Sequence, residues 1–585
     1  IADIKIEFDQ FGNIKNNYMI NGFVKNGKID FFKRYNISEI NLLFKIHQNN
    51  FELENSKLSV NGKKFLISNT IIRKNKEKFL INGKFNNQKI VFNQNDIKDL
   101  IGDNALGLVL EKIEFSSQNT FTFEIDKKFK FKNLAFNSEI VLDNLSFLDE
   151  KVLKKVFPES GEKIIFKDHK INLDYKKNTL KLNGLGDFTI NDKDKDNIQY
   201  NFIKKEKNID FEAILKISNN LFKYDYLNYK KKNRSNLQIN IKGKKDYKNN
   251  IIFNKISLSE TNNNMSIKNL ILGEDYSFKE FKKIDLNYID NDKINNQISI
   301  NKIDKNYLLK GDVFNAEQLI KNLIKSEDKE SNLFSRDFKL DVDIKKIFID
   351  KDNVINNSKG YLFYKNGNIY ESDIKSEFSN KDKVKFTVKT VNNEKITTLF
   401  SSRAKPLINH YKFIKGFKDG YLDFFSTKKG NKTNSTLKIY DFKLKELPAL
   451  TKLLTLASLQ GIADLLSGEG IRFNEFEMNF TTEGKLMTIN EIYAIGPAIS
   501  VLMDGYIEED KLISLRGTLV PATTLNKTIG AIPILGDILV GKKTGEGIFG
   551  VSFKIKGAPN KLETSVNPIK TLTPRFITRT LEKIK

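Results

Sequence analysis

Histidines, cysteines and glycine-rich loops are the features of a sequence that most often carry catalytic or metal chemistry. The three histidines, His47, His169 and His410, lie far apart, without the short spacing that brings metal ligands together on one helix or hairpin. Cysteine is absent, which removes disulfides, thiolate metal sites and cysteine nucleophiles. We therefore expect no metal site, and we interpret the histidines as surface residues or internally hydrogen-bonded ones.

One glycine-rich segment, 536–543, comes near to a phosphate-binding loop. Its sequence GDILVGKK places Lys543 where such a loop needs Ser or Thr to hold Mg²⁺. The glycines from Gly541 to Gly550 fit tight turns between strands better. A G-x-S-x-G nucleophile motif is absent from the sequence. We therefore expect a protein that is not an enzyme and that needs no cofactor.

Over most of the chain, the sequence pattern predicts that β-strands position any functional residue. Phe121, Phe123 and Ile125 alternate with polar Thr122 and Glu124, which is the period-two pattern of a sheet with one apolar and one wet face. The pattern recurs in several further segments. These contain Phe129 and Phe131; Ile171, Leu173 and Tyr175; Leu180 and Leu182; and Phe338, Leu340, Val342 and Ile344.

Asn-Gly dipeptides favour hairpin turns between such strands, because both central residues of a type I′ turn need positive φ. Six occur, starting at Asn21, Asn26, Asn61, Asn82, Asn183 and Asn366. Helical patterns before residue 440 are limited to 315–325 and two weaker ones at 100–110 and 149–157. With few helices to cover it, an apolar sheet face either packs on itself or curls into an open trough. The alternation alone slightly favours self-packing.

Proline and charge divide the chain at the same place. Only Pro158 and Pro406 precede residue 440, whereas seven prolines follow it. Residues 441–585 hold 18 basic and 16 acidic side chains, a net charge of +2, against +23 before them. We predict two regions, 1–440 with repetitive strands and 441–585 with amphipathic helices and Gly/Pro-rich turns.

The net charge of +25 raises the possibility of a nucleic-acid or anionic-membrane partner. Basic residues interleaved with Phe and Tyr are also what any Lys-rich amphipathic strand produces, so we expect no nucleic acid. The chain lacks a run of 18 apolar residues, and the nearest candidate, 447–466, contains Lys452, Asp464 and Gly461. Because the sequence begins at Ile1 without a methionine, we expect any membrane anchor to lie upstream of it.

Residues after 440 carry the most specific motifs of the chain. An apolar helical pattern at 447–466 is followed by strand patterns at 473–480, 485–493, 499–506, 512–519 and 547–557, with a second helix or re-entrant turn near 525–540. The motif sequences are LQGIADLLSGEGIRF at 459–473, GTLVP at 517–521, NKTIGAIPILG at 526–536 and GEGIFG at 545–550. Their key positions are Gly461, Leu465, Leu466, Gly468, Gly470, Phe473, Gly517, Pro521, Asn526, Gly530, Pro533, Gly536, Gly541, Gly545, Gly547, Gly550, Asn567 and Pro568.

In these motifs the chain resembles the AsmA-like family of Gram-negative envelope proteins, in particular its YhdP branch and more distantly TamB. It departs from the family pattern at Pro574-Arg575, where Pro-Gly is usual. The resemblance implies a mostly β fold, in which a long, twisted antiparallel sheet curls into an open apolar groove, with few short helices and a C-terminal β/α cap. It also implies a periplasmic protein that is anchored in the inner membrane by an N-terminal segment absent from this chain.

The function implied by the resemblance is that of a lipid-transfer bridge. An apolar groove would shield phospholipid acyl chains between the inner and the outer membrane, sparing them about 0.8 kcal/mol per exposed CH₂. The alternative is a structural or chaperone-like factor for outer-membrane protein assembly or envelope integrity, which would act on envelope proteins by β-edge pairing. As residues lining the groove we predict Phe121, Phe123, Phe129, Phe131, Ile171, Leu173, Leu180, Leu182, Phe338, Leu340 and Val342, each of which could equally be a core residue.

Overall fold

A computed structural model gives the structure of the chain, and strands make up 77% of the part that it describes. The described residues form two compact units, Ile1–Lys293 (unit 1) and Ile294–Lys585 (unit 2). The structure describes residues 1–15, 17–31, 35–75, 77–96, 109–128, 130–148, 156–160, 163–190, 194–320, 337–365, 368–408, 415–446, 470–497, 499–509, 511–521, 551–559 and 561–566.

Unit 1 is an antiparallel meander in which almost every strand pairs with its neighbour in sequence. Its strands are β1 (Ala2–Lys5), β2 (Met19–Phe31), β3 (Tyr35–His47), β4 (Asn50–Val60), β5 (Lys63–Asn75), β6 (Lys78–Asn93), β7 (Val109–Asp126), β8 (Phe131–Leu148), β9 (Lys163–Lys176), β10 (Thr179–Thr189), β11 (Lys195–Lys205), β12 (Asn208–Ile217), β13 (Lys223–Tyr224), β14 (Tyr229–Lys230), β15 (Leu237–Lys245), β16 (Ile251–Glu260), β17 (Asn263–Leu272), β18 (Phe278–Glu280) and β19 (Lys283–Ile289). The small hairpin β13–β14, joined by a 3-10 turn at Asp225–Leu227, stands apart from the sheet, in which β12 pairs with β15.

Unit 2 is also a meander, but it contains one parallel pair. Its strands are β20 (Asn295–Ile303), β21 (Asn306–Asn315), β22 (Phe338–Phe348), β23 (Val354–Lys365), β24 (Asn368–Glu377), β25 (Lys383–Val391), β26 (Glu394–Ser401), β27 (Lys415–Lys429), β28 (Lys432–Glu446), β29 (Ile471–Glu483), β30 (Leu486–Ile495), β31 (Ile499–Glu508), β32 (Leu512–Pro521), β33 (Val551–Ala558) and β34 (Lys561–Val566), with the short helix α1 (Lys405–Ile408) between β26 and β27. The parallel pair is β21–β22, and the chain between these two strands begins with a helical turn at 317–320.

The expectation of a mostly β fold with few short helices is confirmed among the described residues. The predicted strands at 473–480, 485–493, 499–506 and 512–519 correspond to β29, β30, β31 and β32. The weak helical pattern at 100–110 ends in strand β7, while the helices predicted at 447–466 and 525–540 lie outside the described residues. The predicted curling into a groove is not confirmed.

The predicted boundary between the regions 1–440 and 441–585 lies within strand β28. It remains a prediction that rests on the composition of the sequence.

Candidate functional site

The strand register of unit 2 aligns apolar residues in one row on one face of the sheet. Directly opposed residues of paired strands project to the same face, and the next residue along each strand projects to the other. Every strand from β20 to β34 contributes an apolar residue or a glycine, and fifteen strands span roughly 67 Å at about 4.8 Å per step. This row, ladder 2, consists of Ile300, Leu309, Val342, Gly360, Ile374, Phe386, Leu399, Phe424, Leu437, Met478, Ile492, Met503, Gly517, Phe553 and Val566.

The rows on both sides of ladder 2 contain no charged residue from β24 to β33. One of them is deeply buried and includes Leu422, Ile439 and Leu519, with 1–3% exposure. The row on the other side includes the hydroxyl residues Ser426 and Ser435, which oppose each other directly. Most ladder 2 side chains are half-buried. This face therefore offers an uncharged, partly accessible band that is several residues wide.

The opposite face of unit 2 is charged and carries cross-strand ion pairs. Lys438 Nζ lies 3.0 Å from Glu477, and Arg516 Nε lies 2.9 Å from Asp504. Tyr493 donates its hydroxyl to Glu477 at 2.6 Å. Burial and this hydrogen bond raise the pKa of Tyr493. Burial alone would raise the pKa of Glu477, but hydrogen bonds from Tyr493 and other donors outweigh burial and lower it. The two faces thus differ sharply in polarity.

Unit 1 contains a comparable row on one face of its sheet. Nine strands, from β8 to β19 without the hairpin and the short β18, contribute one residue each. This row, ladder 1, consists of Ile140, Ile171, Gly184, Tyr200, Ala213, Ile241, Ile256, Ile267 and Ile284. The next row on the same face contains Leu173, Leu182, Phe202, Phe211, Gly243, Phe253 and Leu270.

Glycines of the unit 1 sheet lie under aromatic rings of the neighbouring strand. A Cβ atom at Gly184 would lie 2.2 Å from Cζ of Tyr200, and one at Gly83 would lie 2.3 Å from Cζ of Phe121. Only glycine leaves room for a ring that lies flat across the strand in this way. The rings therefore extend the apolar surface over positions that have no side chain.

This arrangement corrects the hairpin hypothesis for most of the Asn-Gly dipeptides. Asn61-Gly62 does form a turn between β4 and β5, with φ of 48° and 80°. The pairs at Asn82 and Asn183 lie inside β6 and β10, where the glycine is needed for close approach and not for a turn. The pairs at Asn21 and Asn26 lie inside β2, and residues 366–367 lie outside the described residues, between the paired strands β23 and β24.

One end of the unit 1 apolar face is covered by the segment 219–236, which we call cap 1 and which contains the β13–β14 hairpin. Phe222 and Tyr229 of cap 1 pack into a buried cluster with Tyr288 and other sheet residues. The phenol of Tyr288 donates to the carbonyl oxygen of Leu227 at 3.0 Å. Cap 1 therefore closes the apolar face at this end and leaves ladder 1 half-buried beyond it.

A buried carboxylate fastens cap 1 to the sheet. Glu260 is 1% exposed and accepts hydrogen bonds from the Tyr229 hydroxyl at 2.7 Å, the Lys232 backbone N–H at 2.8 Å and the Asn263 amide at 3.0 Å. Burial opposes ionisation of Glu260, but these bonds and one from Ser235 outweigh it and lower its pKa. A buried carboxylate with all of these hydrogen bonds indicates that cap 1 is held firmly on the sheet.

Unit 2 has a corresponding buried cluster at one end of its apolar face. The rings of Phe417, Phe442 and Phe473 stack in sequence, with centroids 5.0 and 5.3 Å apart. Ala404 and Ile408, at helix α1, are buried in the same cluster. Ladder 2 residues Leu399 and Phe424 pack against this cluster from the side.

The residues predicted to line a groove lie on these apolar faces where the structure describes them. Phe121, Phe123 and Phe131 form a chain of ring contacts, with centroids 5.8 and 5.3 Å apart. Phe129 lies outside the described residues. Ile171 belongs to ladder 1, Leu173 and Leu182 to the row beside it, and Leu180 opposes Tyr175. Phe338, Leu340 and Val342 follow each other on one face of β22, with Phe338 stacked on Tyr364 at 5.2 Å. Whether they contact a lipid stays a prediction.

The family-motif positions are described only in part. Gly470 has a φ of 87°, Phe473 is 2% exposed, Gly517 lies in ladder 2 under Phe553, and Pro521 ends β32 opposite Ile499. The other motif positions lie outside the described residues, namely Gly461, Leu465, Leu466, Gly468, Asn526, Gly530, Pro533, Gly536, Gly541, Gly545, Gly547, Gly550, Asn567 and Pro568.

The described histidines do not approach one another. His169 is fully buried in β9, with its ring nitrogens 3.1 Å from the Tyr200 hydroxyl and 2.9 Å from the Asp187 carbonyl oxygen, and burial lowers its pKa. His47 ends β3, and His410 lies outside the described residues. No group of three potential metal ligands occurs in the part of the chain that the structure describes.

Two concavities of about 610 and 580 Å³ lie on the polar side of the unit 1 sheet. Asn172 and Asn183, which oppose each other on that side, line both of them. These two hollows are therefore lined mainly by polar residues, whereas the apolar candidate site is a partly accessible band.

Sequence reasoning missed most of ladder 2, including Leu399, Phe424 and Leu437. Each of these residues follows the two-residue period of its own strand, so the strand pattern was visible in the sequence. The sequence did not indicate the register that brings these residues into one row.

Comparison of the sequence with models of known protein families and with curated proteins gives no match. The helices among the described residues fall short of the length and apolarity that crossing a bilayer requires.

Proposed function

We propose that the protein is a bridge-like lipid-transfer protein that shields phospholipid acyl chains on the apolar faces of its sheets. The observation that carries this proposal is ladder 2, an uncharged row crossing fifteen strands with a charged surface on its reverse. A core that only stabilised the fold would need a covering layer along its whole length. Among the described residues, such a cover is seen only at one end of each apolar face, from cap 1 and residues 156–160 in unit 1 and from α1 in unit 2.

The finer parts of the proposal follow from the resemblance to AsmA-like proteins. In it the apolar faces line an open groove, the chain works in the periplasm between inner and outer membrane, and an N-terminal segment anchors it to the inner membrane. Polar headgroups would stay in water while the acyl chains lie on the ladder, which requires no catalytic residue.

The first test is lipid mass spectrometry combined with site-specific crosslinking. We would replace Phe424 or Phe425 by a photo-reactive phenylalanine analogue in cells and identify what each position captures. Phe424 belongs to ladder 2, whereas the adjacent Phe425 projects from the charged face and is 46% exposed. We expect phospholipid adducts at 424 and none at 425. Equal capture at both positions, or stably folded protein without lipid, would refute the proposal.

The alternative function, assembly of outer-membrane proteins by β-edge pairing, draws on a different feature. Among the described strands, β34 pairs with β33 alone, so one of its edges faces no described strand. Crosslinks from β34 to other proteins, together with absence of lipid at Phe424, would favour this alternative.

A further inference from the structure

Two lysines occupy the same face as ladder 2, in the row next to the serine row. Lys395 of β26 and Lys428 of β27 oppose each other directly. Lys395 precedes the ladder residue Leu399 by four positions, and Lys428 follows Phe424 by four, so the two-residue period places both ammonium groups on the apolar side of the sheet. Thr390 and Thr433 continue this row on the neighbouring strands.

The described protein groups do not neutralise the lysine pair. Like charges that oppose each other across strands are destabilising. In the described part of the chain, neither ammonium group has a carboxylate within ion-pair distance, although several other lysines of unit 2 do. Burial, and after it the charge of Lys428, lowers the pKa of Lys395. An anionic group between the two lysines would remove this repulsion.

Between the lysines and the ladder lies a strip of unused hydroxyl groups. Ser426 and Ser435 oppose each other, and each is only 7% exposed. Neither hydroxyl has a hydrogen-bond partner in the described part of the chain. Thr397, opposite Ser426, extends the strip onto β26. Neither oxygen is among the fully enclosed side-chain atoms that lack a partner, so both hydroxyls remain able to donate to an acceptor on a bound molecule.

On β26, β27 and β28, the polarity of this face therefore changes over three successive rows. The apolar row contains Leu399, Phe424 and Leu437, the hydroxyl row contains Thr397, Ser426 and Ser435, and the cationic row contains Lys395 and Lys428. Successive rows are about 7 Å apart, because two residues of a strand rise by that distance. Acyl chains, ester groups and phosphate follow one another in the same order along a glycerophospholipid.

We propose that this graded surface is a headgroup site for a glycerophospholipid, with the phosphate between Lys395 and Lys428, ester oxygens at Ser426 and Ser435, and acyl chains on ladder 2. The inference deepens the proposed lipid-transfer function and rests on it. It assigns the phosphate as the recognised group, because phosphate oxygens accept charge-assisted hydrogen bonds from both ammonium groups. Lys428 is exposed and lies beside the β27–β28 turn, so the rest of the headgroup can remain in water.

The test is a competition between two lipids with identical acyl chains. Purified full-length chain would be incubated with detergent micelles holding equal amounts of dioleoylphosphatidylglycerol and dioleoylglycerol, then repurified, and its lipids quantified. The test variant is Lys395→Gln with Lys428→Gln. The control variant is Lys375→Gln with Lys385→Gln, which alters an opposed lysine pair of the charged face and the net charge equally.

We expect wild type and control to prefer the phospholipid by about tenfold, the size of one charge-assisted contact, and the test variant to bind both lipids equally. Equal binding of both lipids by wild type, or a preference that survives in the test variant, would overturn the headgroup site and leave the proposed function standing. Binding of neither lipid by wild type would overturn both. Glycerol 3-phosphate competing as well as the phospholipid would show a simple anion site and overturn the assignment to a lipid.

Discussion

Replacing Phe424 by glutamate places a charge in the middle of ladder 2, between Leu399 and Leu437. An acyl chain that crosses one strand spacing of about 4.8 Å lays roughly four methylenes over it. Keeping these methylenes away from a hydrated carboxylate forfeits about 0.8 kcal/mol each, or about 3 kcal/mol. That corresponds to a loss of about a hundredfold in occupancy at this position.

The assay is the number of phospholipid molecules that co-purify with each chain, measured by mass spectrometry. Phe425→Glu is the matched control, because it makes the same change one residue away on the charged face. We expect Phe424→Glu to lose lipid and Phe425→Glu to keep it. Equal lipid content in the two variants would refute the reasoning that ladder 2 is the lipid-bearing surface.

Loss of packing has to be separated from the effect of charge. Phe424 packs against the buried cluster of unit 2, and truncating a half-buried phenylalanine costs about 2 kcal/mol or more. Phe424→Ala loses this packing without adding a charge, and we expect it to retain most of its lipid. If Phe424→Ala lost as much lipid as Phe424→Glu, the effect would be one of stability, which thermal unfolding of both variants would reveal.

Three further outcomes are expected. Gly184→Ala should lower the free energy of unfolding by about 2 kcal/mol in urea titrations, because its Cβ would meet the Tyr200 ring, and Tyr200→Ala in the same chain should recover part of the loss. The lowered pKa of buried His169 means that the unfolded chain binds the proton more readily, so stability should fall as pH drops below about 6.5, and less so in His169→Phe. Phe123→Glu should reduce co-purifying lipid, and unchanged lipid in a folded variant would remove Phe123 from the lining.

The strands and their faces were predictable from local alternation. β29 to β32 begin and end within a few residues of the predicted segments, since each shows the two-residue period that a half-buried strand requires. Phe338, Leu340 and Val342 likewise share a face, as their spacing indicated. These features depend only on residues that are close in sequence.

The Asn-Gly dipeptides show where local reasoning failed. At Asn61-Gly62 the left-handed conformation of a turn explains the glycine, but at Gly83 and Gly184 the reason is an aromatic ring on the next strand. The two causes give the same dipeptide. Only the position of Phe121 or Tyr200 across the sheet distinguishes them, and that position depends on register.

Register also determines whether the apolar residues form a continuous band. Leu309 and Val342 meet because β21 and β22 pair in parallel, which alternation within either strand could not indicate. A slip of one residue between β26 and β27 would bring Asp423 or Phe425 opposite Leu399 and turn the apolar set of one strand to the other face. The same slip would separate Lys395 from Lys428. The continuity of ladder 2 and the opposition of Lys395 and Lys428 thus depend on the same register of β26 and β27. Lipid capture at Phe424 and the preference for a phosphate at the two lysines therefore test the same strand pairing at two different places.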